Sequence, residues 1–281
     1  MTIPFTVIAA VLLGALLHAA WNTIVKSSYD KALDNALLTF FGGIISLPLL
    51  LWLGLPPREA WPWIISSAIV HIGYYATLSQ AYRHGDLGLT YPLMRGTAPL
   101  LVALLSVVVL GETLPSMAWA GIIGICVGVL ILGLSPQALA SRRAVGFALA
   151  NAAIIATYTL IDGLGVRVSG DALKYTLALF ALNGWVFSGI IFARRGGAVT
   201  LTYIRRRGAI AALGAIASFG SYALALWAMM HAPVAVVAAL RETSVLFAAL
   251  LGAWVLREHI TLRRAIGTVI ILSGAIGLRL A

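Results

Sequence analysis

The sequence predicts an all-α integral membrane protein of ten transmembrane helices, built as two inverted five-helix repeats. Three observations predict it: the composition, ten apolar runs of spanning length, and a residue pattern that recurs half a chain later. Of the 281 residues, 61% are hydrophobic and 10% charged, and the mean hydropathy is +1.00. Soluble domains average about 45–50% apolar and about 25% charged residues. This composition excludes an ordinary cytosolic enzyme, a disordered chain and a disulfide scaffold. The surplus apolar surface is expected against a lipid bilayer. The single cysteine, Cys126, can form no internal disulfide and says nothing about redox compartment.

A helix needs about 20 predominantly apolar residues to cross a bilayer. The first run, 4–26, holds His18, Trp21 and Asn22 and no cleavage site, so it reads as a retained helix rather than a signal peptide. Run 34–54 ends before Pro56-Pro57-Arg58-Glu59, and run 62–84 ends on Arg83-His84-Gly85-Asp86. Run 88–110 closes on Gly111-Glu112-Thr113-Leu114-Pro115, and run 115–134 stops at Ser135-Pro136. These five form the first repeat, 1–134, and a connecting loop, 135–143, follows. The second repeat, 144–281, holds runs 144–165, 171–193, 208–230, 234–256 and 262–280, with a long basic link from Arg194 to Arg207.

The two halves resemble each other in polar as well as apolar positions. At an offset of 146, Arg95 meets Arg241, Thr97 meets Thr243, Glu112 meets Glu258, Gly121 meets Gly267 and Gly128 meets Gly274. Earlier in each half the offset is 137, placing Trp21 over Tyr158, Asp34 over Asp171 and Thr39 over Thr176. Compositional coincidence between apolar helices is the competing reading. Five is odd, so the second copy is expected upside down, an arrangement that builds two related gates around one midplane site.

A net charge of +10 suggests nucleic acid at first sight. The basic residues fall in short clusters between apolar runs, however, with no stripe of interleaved aromatics, so no nucleic-acid partner is expected. In a membrane chain such clusters set topology. The loops after spans 1, 3, 5, 7 and 9 carry thirteen Lys and Arg, and the opposite loops carry four. The thirteen are expected in the cytoplasm, with both termini outside (periplasmic for a cell inner membrane).

Charges inside a bilayer are costly, about 2.5–3.5 kcal/mol each on insertion scales, and face a cavity or a partner. Arg95, Arg241 and Glu242 lie well inside predicted spans. Either arginine can hold a carboxylate bidentately. Glu242 can neutralise one of them or carry a proton, and a static salt bridge between helices is the competing reading. Tyr91-Pro92-Leu93-Met94-Arg95-Gly96-Thr97-Ala98-Pro99 puts two prolines and a glycine in span 4, which predicts a broken helix there.

A second constellation is aromatic and polar. His71, Tyr75, Ser79 and Tyr82 share one stripe of span 3, bordered by Tyr74. His18, Trp21 and Asn22 share a face of span 1; Asn151, Tyr158 and Asp162 share one of span 6; span 8 offers Ser218, Ser221 and Tyr222. Such faces can line a cavity that stacks a flat side chain and hydrogen-bonds a polar head. The substrate-binding candidates are therefore Trp21, Asn22, His71, Tyr74, Tyr75, Ser79, Arg95, Tyr158, Ser218 and Tyr222, with Glu242, Arg241 and Asp162 as coupling or salt-bridge candidates. Interfacial aromatic belts are the alternative, and Trp61, Trp63, Trp119 and Tyr82 fit one. The glycines of span 5 (Gly121, Gly124, Gly128) and span 10 (Gly267, Gly274, Gly277) signal close packing, of those spans or of a homodimer. No catalytic constellation, metal-ligand spacing or cofactor motif is present, so neither enzyme activity nor a cofactor is expected.

Several stretches resemble the EamA branch of the drug/metabolite transporter superfamily. His18-Ala19-Ala20-Trp21-Asn22 is similar to the start of span 1 in many members. Ala81-Tyr82-Arg83-His84-Gly85-Asp86-Leu87, continuing into Tyr91-Pro92-Leu93-Met94-Arg95-Gly96, resembles the family's junction of spans 3 and 4. Glu112 and Glu258 match the Gly-Glu end of the fourth helix of each repeat, although Arg257 replaces the second Gly. The resemblance covers nearly the whole chain and implies export of small metabolites. YddG-type aromatic amino acid exporters look like the nearest group, which implies an amino acid, aromatic or otherwise apolar, as substrate. A multidrug or cationic-compound exporter of the same fold, with an essential acid at Glu242 or Asp162, is the alternative; a non-transporting membrane scaffold is a third reading.

Overall fold

The computed structural model describes residues 3–84, 87–133, 141–256 and 262–281. Among these residues the secondary structure is helical and contains no strand. The helices are α1 (Phe5–Lys26), α2 (Lys31–Leu53), α3 (Trp61–His84), α4 (Leu87–Leu110), α5 (Ser116–Gly133), α6 (Arg142–Ser169), α7 (Ala172–Arg195), α8 (Gly197–Met229), α9 (Val234–Arg241), α10 (Ser244–Leu256) and α11 (Leu262–Leu280). Glu258 and Arg257, and Asp86 of the span 3–4 junction, lie outside the described residues.

Local signals explain most of the boundaries. Asp30, Ser141 and Asp171 each accept a hydrogen bond from a backbone N–H three residues on, capping α2, α6 and α7. Gly170 ends α6 at φ +66° and returns its N–H to Val166 O, a conformation open to glycine at no steric cost. The basic link expected before residue 208 is instead the first three turns of α8. At 33 residues α8 is about 50 Å long, well beyond the hydrocarbon thickness of about 30 Å.

Two expectations about helix breaks are reversed. Span 4 is one helix, α4, through both Pro92 and Pro99. The break falls in span 9, where α9 ends at Arg241 and α10 begins at Ser244. There Glu242 N–H bonds Ala239 O and Thr243 N–H bonds Leu240 O, three residues back rather than four. The Thr243 hydroxyl also donates to Leu240 O at 2.7 Å. The turn is therefore held by its own hydrogen bonds, and needs neither proline nor glycine.

Among the described residues six helices (α1, α2, α4, α6, α7 and α8) are each long and apolar enough to cross a membrane. α3 is long but diluted by His71, Tyr74, Tyr75, Ser67 and Ser79, and the break shortens α9 and α10. Leu51, Trp52, Ile69, Val108, Leu213, Val269 and Ile276 are among many large apolar side chains on the outside. Soluble monomers rarely expose such continuous apolar surface; here it suits lipid.

The helices pair antiparallel: α1 with α8, α2 with α7, α3 with α6, and α5 with α11. The α5–α11 crossing is local twofold packing. A Cβ on Gly121 would meet Gly274 O at 2.8 Å, and a Cβ on Gly128 would meet Gly267 O at 2.9 Å. The 146-residue offset carries one of these contacts onto the other. The glycines of these two spans thus pack within the chain. α2 and α7 cross at Gly43 and Gly184, which are as far apart in sequence as their capping residues Asp30 and Asp171. That spacing, 141 residues, replaces the 137 read from the sequence, so Asp171 corresponds to Asp30 rather than to Asp34.

The two ends of the bundle differ. At the end holding Thr113, Gly170 and Pro233, one continuous core joins nearly every helix, including Val11, Ile64, Val102, Ile122, Tyr175, Leu226 and all of α9 from Val234 to Leu240. At the basic end, where α1 stops and α2 starts, two separate clusters replace it. One contains Leu93, Met94, Ala148 and Ile155 of α4 and α6; the other contains Leu33, Leu37, Tyr203 and Ala211 of α2 and α8. Ion pairs tie the halves at both ends. Glu112 receives Val234 N–H at 2.8 Å and Arg167 at 3.0 Å. Asp34 pairs with Arg207 at 2.6 Å and Asp30 with Arg195 at 2.9 Å.

Candidate functional site

Between the sealed end and the basic end, four charged side chains meet in the middle of the bundle: Arg95, Asp162, Arg241 and Glu242. Arg95 of α4 and Glu242 at the break of span 9 form an ion pair, Nε to Oε2 at 2.9 Å, with side-chain exposures of 12% and 4%. Among the described residues the buried Ser244 Oγ, at the start of α10, has no hydrogen-bond partner. The break turns the adjacent Arg241 the other way, its guanidinium 5.4 Å over the ring of Tyr222 on α8, a geometry that favours a cation.

Asp162 is fully buried on α6. It accepts a hydrogen bond from Tyr175 of α7 at 2.9 Å and a second from Tyr222. A buried carboxylate needs such partners, because an isolated one is expensive to desolvate. Tyr222 links the charges: its hydroxyl bonds Asp162 while its ring lies under Arg241, and Arg241 is followed directly by Glu242. The site is therefore one constellation.

The aromatic candidates surround it. His71 stacks on Tyr158 with ring centres 4.3 Å apart, and its Nδ1 lies 2.8 Å from Ser67 O. Tyr74 meets Tyr158 edge-on at 6.1 Å and Tyr75 at 5.2 Å. Tyr75 in turn stacks on Phe187 of α7 at 4.6 Å. Trp21 packs edge-on against His18 with ring centres 5.1 Å apart. His18, His71, Tyr74, Tyr75, Tyr158, Tyr222 and Arg95 stay half-buried although helices surround them. Accessible surface deep inside a bundle borders an internal space. Tyr74, Tyr75 and Tyr158 border it, together with the Arg95–Glu242 pair.

Other candidates sit differently. Asn22 donates to His18 O on its own helix at 2.8 Å. Ser79 is exposed on α3 toward the basic end, and Ser218 is half-buried on α8. Asn151 donates to Tyr74 O and Thr77 Oγ1, cross-linking α3 to α6 beneath the site. Trp61, Trp63 and Trp119 pack against the core of the sealed end; the Tyr82 side chain lies outside the described residues. Sequence reasoning missed Tyr175, Phe187, Ser244 and Phe180, whose ring tilts against that of Tyr222 at 6.0 Å. Tyr175, Phe180 and Phe187 all lie on α7, in apolar runs where an aromatic ring looks like core; Ser244 follows a charged pair, a signal that could have found it. Among the described residues no group of three His, Cys, Asp or Glu is placed to hold a metal.

A helical bundle with a lipid-facing apolar exterior and an internal charged, aromatic space defines a multi-pass membrane protein that handles a small solute. The EamA-like transporter family model matches the chain twice, over residues 5–134 and 142–280. The chain belongs to this family, whose members are transporters. A solved crystal structure shares the fold with a TM-score of 0.73 at 20% identity, covering 97% of this chain and 98% of that one. No curated protein matches the sequence.

Proposed function

We propose that the protein is a secondary exporter of amino acids, aromatic or otherwise apolar, working by alternating access. In this reading the chain spans a cell inner membrane ten times, as two inverted five-helix repeats, 1–134 and 144–281, with α9 and α10 together making the ninth span. Both termini are periplasmic and the basic end is cytoplasmic. The observation that carries the reading is the internal space itself, bordered by aromatic rings (Tyr74, Tyr75, Tyr158) and by the Arg95–Glu242 pair. Rings suit a flat or apolar side chain, and the charges suit a polar head. The single core at one end and the two separate clusters at the other support a state open toward the basic end.

Purified protein in liposomes preloaded with phenylalanine is expected to take up labelled phenylalanine or tryptophan by exchange. Uptake no greater than that of empty liposomes would overturn this reading. Export of cationic compounds is the second reading, favoured by the buried carboxylates of Asp162 and Glu242. In that case Asp162→Asn or Glu242→Gln abolishes cation resistance in cells.

A further inference from the structure

We propose that Arg95 and Glu242 are the two halves of a receptor for a zwitterionic head group. The substrate carboxylate docks on the Arg95 guanidinium and the substrate ammonium on the Glu242 carboxylate, so the ion pair opens and each member exchanges its partner for the substrate. This rests on the amino-acid reading above and adds to it which charges the substrate must carry.

Four observations carry the proposal. First, the formal charges of the site match, two arginines against two carboxylates: Arg95 pairs with Glu242, and Tyr222 lies under Arg241 while its hydroxyl bonds Asp162. In a low-dielectric interior an added net charge is uncompensated. A zwitterion adds none, whereas an amine or a carboxylic acid adds one. Second, Arg95 and Glu242 are not interchangeable parts of the symmetric scaffold. At the 146-residue offset Arg95 has its counterpart in Arg241, but Glu242 falls on Gly96. The carboxylate is an addition to one half only, so the fold's symmetry does not account for it.

Third, the pair is close, with Nε and Oε2 2.9 Å apart, and among the described residues Ser244 Oγ, two residues from Glu242 and 2% exposed as a residue, has no hydrogen-bond partner. Buried polar atoms are ordinarily satisfied, and a substrate head group offers both donors and acceptors here. Fourth, Glu242 is carried on the break between α9 and α10, where the regular four-residue ladder is interrupted. A carboxylate on such a joint can swing away from Arg95 without unwinding a helix. The other two charges are already engaged, Asp162 by two tyrosine hydroxyls and Arg241 by the Tyr222 ring.

The test is competition for labelled phenylalanine bound to the detergent-solubilised full-length protein at neutral pH. The competitors share one side chain and differ in charge: phenylalanine, phenethylamine and 3-phenylpropanoate. For the wild type, both singly charged compounds are expected to compete at least about a hundredfold more weakly than phenylalanine, the scale of an unpaired buried charge. Glu242→Gln is expected to weaken phenylalanine and turn the preference toward 3-phenylpropanoate; Arg95→Gln is expected to turn it toward phenethylamine. A purely structural ion pair predicts no such crossing. Wild-type protein that binds phenethylamine as well as phenylalanine overturns the proposal without need of any variant. So do folded variants whose rank order is unchanged. In those cases phenylalanine still binds and the amino-acid reading stands; wild-type protein that binds no phenylalanine overturns that reading and the receptor with it.

Discussion

Each charged residue in the middle of the bundle is answered by a different device: Arg95 by a carboxylate, Asp162 by two phenols, and Arg241 by a ring face. Removing one member of a buried pair leaves the other uncompensated, which costs about 3–5 kcal/mol. The glycines follow the opposite logic, since their function is to carry nothing. A Cβ at position 128 would stand 2.6 Å from Ile271 Cγ1 and 2.9 Å from the backbone of Gly267. Gly128→Ala is therefore expected to push α5 and α11 apart and destabilise the protein by about 1–3 kcal/mol, the usual range for overpacking. A lowered thermal unfolding midpoint in detergent checks this, and an unchanged midpoint contradicts it. These residues were legible in the sequence because a charge or a glycine repeat inside an apolar run demands a reason. Tyr175 and Phe187 were not legible. Their chemistry depends on where α7 packs, which hydropathy does not record.

The breaks in the helices show why sequence alone misplaces such a feature. Pro92 and Pro99 each remove a backbone donor, yet membrane helices tolerate this when neighbours and side-chain hydroxyls meet the freed groups. In α4 the carbonyls that lose a donor are those of Gly88 and Arg95, four residues before each proline, and the helix still runs unbroken; Gly96 lets α5 pack closely against it, with Leu130 in the space a Cβ would need. Span 9 breaks with no proline inside it, because Arg241 and Glu242 are adjacent but bind partners on different helices. At its other end α9 is held by Glu112, which reaches across from the loop after α4 to Val234 N–H and Arg167. Glu112→Gln replaces charge-assisted bonds by neutral ones. It is expected to lower stability by about 1–2 kcal/mol and to raise hydrogen exchange in α9 more than in α7. Uniform exchange changes across both helices would contradict the capping role.

In the whole molecule, composition made lipid exposure legible, and the repeated residues made the two halves legible. The correct register of the first helices was not, because N-caps and glycine crossings align the copies better than matching letters do. Which end is closed was not legible either, since it depends on packing between helices distant in sequence. Alternating access requires the two antiparallel halves to open the internal space at one end at a time. Its most direct test is a pair of spin-label distances in the Cys126→Ser background, one between positions 83 and 205 at the basic end and one between positions 58 and 231 at the sealed end, all exposed sites and each pair spanning the two halves. Saturating phenylalanine is predicted to populate shorter distances at the basic end together with longer ones at the sealed end. Distances that stay fixed in protein that exchanges phenylalanine, or that shift in the same sense at both ends, would exclude alternating access.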